Sequence, residues 1–131
     1  MKKITTISTT AAPQALGPYS QGVVTGGLLF ISGQIGLIPE TGQLIDDDLS
    51  HQTKQVFDNI HSICAAAGVS MQNIVKLTIY LTDLSQFNLV NELMQNRFDK
   101  PYPARATVEI SALPKNALIE IEAVAAMTVG G

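Results

Sequence analysis

The stretch Ile74-Val75-Lys76-Leu77-Thr78-Ile79-Tyr80-Leu81-Thr82 alternates along its length, whereas the next residues, Asp83-Leu84-Ser85-Gln86 and then Phe87, Val90, Leu93, Met94 and Phe98, do not. Alternation with period two predicts a strand, with Val75, Leu77, Ile79 and Leu81 on one face and Lys76, Thr78, Tyr80 and Thr82 on the other. Asp83 to Gln86 reads as a capping box with Asp in place of the usual Ser or Thr, and the apolar residues after it recur on one helical face. A strand therefore runs directly into a helix, which Pro101 and Pro103 end.

Working outward toward the N-terminus, Val56, Phe57, Ile60, Ile63, Cys64 and Ala67 recur at helical spacing, with Asp48 placed to cap a helix over Leu49 to Ala67 and Gly68 to stop it. Ile4 to Ile7 predicts a short first strand, and Gly22 to Thr25 and Leu28 to Ser32 flank Gly26-Gly27, a pair suited to a hairpin turn. Pro39-Glu40-Thr41-Gly42 is a second turn signal. Toward the C-terminus two more strands are expected, Ala104 to Ile110 and Leu118 to about Met127. The order of elements predicts an α+β fold, one mixed β-sheet with two helices packed on one face. In the last two strands Ala104, Ala106, Val108 and Ile110, with Ile119, Ile121, Ala123 and Ala125, are apolar enough to lie under the helices. The opposite set is then Arg105, Thr107, Glu109, Leu118, Glu120, Glu122 and Val124, and charges set among aliphatics fit a face covered by a symmetry mate, with polar clefts between subunits.

Composition narrows the function. The chain has 131 residues, 46% hydrophobic and 15% charged, enough for one core, and reads as a single domain over 1–131. A net charge of -3 with only eight Lys and Arg gives no field to hold a phosphate backbone, so no nucleic acid is expected as main ligand. No stretch has the length of a signal peptide or a membrane span, and the expected location is the cytoplasm, with no membrane partner. The single cysteine excludes an internal disulfide and a cysteine-based metal cage. Cys64 lies on the apolar helical face and reads as an inert buried thiol; His51 and His61, ten residues apart, do not share a metal. A Gly-rich phosphate loop, a dinucleotide fingerprint, HExxH and GxSxG are all missing from the sequence. The chemistry has to be simple.

The most informative stretch for function is Pro101-Tyr102-Pro103-Ala104-Arg105-Ala106-Thr107-Val108-Glu109-Ile110, then Leu113-Pro114-Lys115 and Ile119-Glu120-Ile121-Glu122-Ala123. With Gly17-Pro18-Tyr19-Ser20-Gln21-Gly22, Ser32-Gly33-Gln34 and Val90-Asn91, and in this order from about residue 11 to 127, it closely resembles the reactive-intermediate deaminases, the 2-iminobutanoate/2-iminopropanoate deaminase family. The resemblance implies a chorismate-mutase-like fold, a homotrimer with a site in each cleft between subunits, no cofactor and no metal, and a small imino or keto acid as the molecule bound. It assigns Arg105 to the substrate carboxylate, Glu120 to activation of the attacking water and protonation of the departing ammonia, and Tyr19 to holding water or substrate in the cleft. Gly33 and the backbone at Thr107 are assigned to substrate contact, and Asn91 to a place near the site. Arginine suits the first task because its planar fork makes two parallel charge-assisted hydrogen bonds.

Each role has a plainer counterpart. Arg105 and Glu120 can be read as an ordinary ion pair, Tyr19 as packing, Gly33 as close backbone approach and Asn91 as a solvated helix residue. Many family members have a cysteine where this chain has Thr107, which excludes thiol chemistry there. Against hydrolysis of 2-imino acids stand a binding module for small 2-keto carboxylates, a ribonuclease or translation inhibitor as described for some relatives, and a chaperone-like surface. The acidic net charge speaks against the ribonuclease.

Overall fold

The computed structural model describes residues 3–127. One six-stranded sheet runs in the order β1-β2-β3-β6-β4-β5, formed by β1 (Thr5–Ile7), β2 (Gly22–Thr25), β3 (Leu28–Gln34), β4 (Ile74–Leu81), β5 (Ala104–Glu109) and β6 (Ile119–Ala126). All neighbours are antiparallel except β4 and β5, so the sheet is mixed. The helices α1 (Leu49–Ala67) and α2 (Phe87–Arg97) bury their apolar stripes on one face of it. Val56, Phe57, Ile60, Ile63 and Cys64 of α1 meet Leu29 and Ile31 of β3, Ile119, Ile121, Ala123 and Ala125 of β6, and Leu77, Ile79 and Leu81 of β4 in one core. Each fully buried valine, leucine, isoleucine or phenylalanine among them contributes about 1.5–3 kcal/mol through apolar burial.

Local chemistry explains the helix limits. The Asp48 side chain accepts from the His51 backbone N–H at 2.9 Å, filling one of the unpaired donors of the first turn. At the other end Gly68 turns left-handed at φ 86°, and its N–H and that of Val69 reach back to Ala65 and Cys64. Gly26 and Gly27, at φ 59° and 77°, make the expected β2–β3 turn. Burial pushes the Cys64 thiol up to about 11, in keeping with an inert core residue.

Three expectations need correction. Val75 is 46% exposed and Ile74 takes the buried place, because the register against β6 slips between Ile74 and Lys76 and one residue bulges out of the alternation. The capping box is incomplete: Asp83 accepts from Ser85 N, but Gln86 donates to the Asp83 carboxylate instead of reaching its backbone, and a 3₁₀ turn over Leu84–Gln86 precedes α2. Most consequential, the faces of β5 are reversed. Arg105, Thr107 and Glu109 stand beside Leu77, Ile79 and Leu81 and so share the helix side, where Glu109 accepts from Leu84 N at the entrance to α2. Ala104, Ala106 and Val108 lie on the open face with Lys76, Thr78 and Tyr80. β5 is an edge strand beyond the main part of the core, so nothing forces its apolar set under the helices.

The other face carries Phe30, Tyr80, Val108, Glu120, Glu122 and Val124; Phe30 and Val108 are 44% and 42% exposed. One buried amide ties the helix layer to the strand that bears both glutamates. Gln52, fully buried in α1, donates to the Asp46 carbonyl at 2.6 Å and accepts from the Leu118 N–H at 2.8 Å. Gln52→Leu strands both backbone groups and is expected to destabilise the fold by about 2–4 kcal/mol. Urea unfolding checks this: the midpoint should fall with the slope unchanged, and an unmoved midpoint would refute the role.

Candidate active site

The loop between β1 and β2 is held from within. The amide of Gln21, 4% exposed, accepts from Thr9 N at 2.7 Å and donates to the carbonyls of Thr9 and Pro13 at 3.1 and 2.7 Å. The Ser32 hydroxyl donates to the Ser20 carbonyl at 2.6 Å, fastening the loop to β3. These contacts place Tyr19 on the rim of a cleft of about 380 Å³ whose walls include Leu16, Gly33, Lys115 and Glu120.

Gly33 sits where β3 slips register against β6, between Ile31 and Gln34. A Cβ on it would lie 2.8 Å from Glu120 Oε2 and 2.9 Å from Cδ, so the carboxyl occupies space that any other residue would fill. This close approach is the reason for glycine here. Burial, and secondarily the Glu122 carboxylate, raise the pKa of Glu120 above its ordinary value of 4.5. A general acid and base working near neutral pH needs such a shift.

Arg105 stands elsewhere. Its guanidinium lies 4.7 Å from the centroid of the Phe87 ring, donates to Asn91 Oδ1 and, at 3.5 Å, approaches Met94 Sδ. Those contacts hold one end of the fork through Nη1 and leave other N–H groups for a ligand in a cleft of about 390 Å³ lined also by Gln95, Tyr102 and Pro103. Thr107 is two residues on along the same face, and its hydroxyl is buried without a hydrogen-bond partner.

The expected site residues therefore fall into two sets within one chain. Tyr19, Gly33 and Glu120 share one cleft, while Arg105 and Asn91 share another and Thr107 lies next to them on β5. Glu120 lies on the open sheet face and Arg105 on the helix side at the sheet edge, and they form no ion pair with each other among the described residues. Lys115 and Tyr102 also line these clefts; neither was expected there, although both lie in the stretches that carry the resemblance. Lys115 and Asn116 adopt left-handed backbone at φ 57° and 58°, unusual for residues with a Cβ. Among the described residues no three His, Cys, Asp or Glu side chains gather as metal ligands.

The raised pKa of Glu120 has a consequence for stability. A carboxyl that holds its proton more tightly in the folded chain adds stability that is fully present below its unfolded pKa and lost as pH rises through the folded one. Glu120→Gln, which cannot ionise, should raise the thermal midpoint at pH 7, with the difference closing below about pH 4. Equal midpoints at pH 7 would contradict this.

Known proteins match the chain over nearly its whole length. The family model described as endoribonuclease L-PSP matches residues 9–127. The human 2-iminobutanoate/2-iminopropanoate deaminase is 47% identical over 119 residues, 91% of this chain and 87% of its own. A crystal structure of a protein of the conserved Rid family from Yersinia pestis superposes with a TM-score of 0.92 at 44% identity, covering 95% of this chain and 99% of that one. The structure of E. coli TdcF with bound serine superposes with a TM-score of 0.87 at 38% identity, covering 95% and 99%. The chain thus belongs to the endoribonuclease L-PSP family, the family of the reactive-intermediate deaminases that its motifs resemble.

Proposed function

We propose that the protein is a cofactor-free deaminase that hydrolyses short-chain 2-imino acids, or their enamine tautomers, to 2-keto acids and ammonia, at sites completed between the subunits of a homotrimer. The observation that carries this reading is the division of the site: a docked arginine with free donors in one cleft, a carboxyl of raised pKa beside an exposed tyrosine in another, on opposite faces of one sheet. A second copy seated against the open face would bring one chain's arginine to the next chain's glutamate.

In such a cleft the substrate carboxylate takes the free N–H groups of Arg105, while Asn91 and the Phe87 ring hold the guanidinium still. A protonated C=N carbon is already electrophilic, so the remaining needs are a placed water and one acid–base group. Glu120 takes a proton as water adds to the carbon of the protonated imine, giving a carbinolamine, and returns it to nitrogen; it then takes the hydroxyl proton as the C–N bond breaks and passes it to the departing ammonia. Protonated imine and water become a carbonyl and ammonium, with Glu120 returned to its starting form and no change in oxidation state. Tyr19 offers its hydroxyl on the rim to water or substrate. The amide of Thr107 contributes backbone only, so the hydroxyl in place of a thiol leaves this route open. The names of relatives such as the human deaminase and the serine held by E. coli TdcF support a small amino-acid-like ligand.

The test generates imino acids with a serine or threonine dehydratase, traps them with semicarbazide, and tracks keto-acid release. Arg105→Ala and Glu120→Ala should each lose at least about 100-fold in rate, a loss in the range for a missing acid–base group. Co-assembled in equal amounts, the two variants should regain about a quarter of the full activity, because random mixing restores an intact pair in that share of the clefts. Mixed assemblies as inactive as their parents would refute the shared site. Binding of 2-ketobutyrate without turnover by the unmodified protein would make it a carboxylate-binding module, and salt-sensitive RNA binding at physiological ionic strength would favour the ribonuclease instead.

A further inference from the structure

We propose that Tyr80 and Glu122 are positioning residues for Glu120: the Tyr80 phenol anchors the Glu122 carboxylate beside Glu120 on the open sheet face, so that the pair adds to burial in setting the pH range in which Glu120 exchanges its proton. The inference rests on the reading of Glu120 as the acid–base group and adds to it two residues of a neighbouring cluster.

The geometry comes from register. On β4 and β6, Tyr80 is the direct cross-strand partner of Glu120, and Thr78 that of Glu122. The Tyr80 hydroxyl does not bond its direct partner; it reaches along the diagonal and donates to Glu122 Oε1. That contact draws the Glu122 carboxylate toward the row in which Glu120 stands. Directly opposed and diagonal side chains on one sheet face are close enough for charges to interact. The hydrogen bond to Glu122, with smaller contributions from burial and from both glutamates, raises the pKa of Tyr80, so the phenol keeps its proton through neutral pH and remains a donor. Glu122 in turn is the charged neighbour that helps raise the pKa of Glu120.

The other groups facing Glu120 bring no negative charge. Gly33 of β3 presses on the carboxyl and has no charge. Tyr19, from the loop before β2, and Lys115, from the loop before β6, line the same cleft. Lys76 of β4 pairs with Val124, one row beyond Glu122. In the proposed trimer the Arg105 of an adjacent copy also enters, and it acts in the opposite sense, favouring the charged carboxylate. Anchored Glu122 then counters the arginine and keeps Glu120 able to carry a proton at neutral pH.

The experiment uses the whole protein with ¹³C-labelled glutamate carboxyls and monitors the Glu120 resonance through a pH titration in unmodified protein, Tyr80→Phe and Glu122→Gln. Tyr80→Phe keeps the ring and its packing but frees Glu122 to turn away from Glu120. Glu122→Gln keeps the shape and removes the charge. Both should lower the Glu120 midpoint by about half a unit or more, roughly a threefold loss of proton affinity. The acid limb of kcat/KM should move to lower pH by the same amount. A midpoint unmoved in both folded variants overturns the proposal, and one moved by Glu122→Gln alone overturns the anchoring role of Tyr80. The titration reads the coupling even without turnover, so its failure is distinct from failure of the deaminase reading, which the Glu120→Ala assay reports.

Discussion

The period-two alternation of β6 is the constraint on which everything else rests. This strand lies between β3 and β4, and its odd-numbered residues, Ile119, Ile121, Ala123 and Ala125, are almost fully removed from water under the helices. Because successive side chains on a strand must point to opposite faces, burying that set obliges Glu120, Glu122 and Val124 to project from the open side. A one-residue slip would drive two carboxyls into the core, where an unpaired charge is prohibitive. Core formation and placement of the acid–base candidate are thus the same event, and Gln52 secures it by fastening the residue that precedes the strand to the first helix.

The second constraint comes from the edge of the sheet. β5 pairs with β4 alone, in parallel, and both of its faces remain largely accessible. An edge strand is free to orient an arginine toward a helix, and α2 receives it with an aromatic face, an amide oxygen and a thioether. The guanidinium is fixed before any ligand arrives. Pre-organisation of this kind spares the ordering entropy that a flexible charged side chain would lose on binding.

Much of this is legible in the sequence, and the division between what is and what is not is physical. Asp48 and Gly68 mark the limits of α1 because capping is decided by contacts within one turn. Gly26-Gly27 announces its turn for the same local reason. Aliphatic alternation identifies the buried set of β6 correctly. It misassigns the faces of β5, since alanines and a valine say nothing about which neighbour covers them; the answer lies in the register against β4 and in a helix that precedes β5 in the chain. The bulge at Val75 is likewise set by the β6 pairing. Tyr19, Gly33, Thr107, Asn91, Arg105 and Glu120 can be picked out only by resemblance to a family, and their separation into two clefts is visible only once the sheet has two sides.

Cys64 offers a different kind of vantage on the molecule. It is the chain's single thiol, it lies in the core between α1 and the sheet, and burial holds it in the protonated form. Neither nucleophilicity nor access is available to it while that layer is closed. The residue consequently acts as a built-in clock for opening of the core: the pace at which a thiol reagent modifies it reports how often the helix layer lifts from the sheet, independently of any ligand or assay.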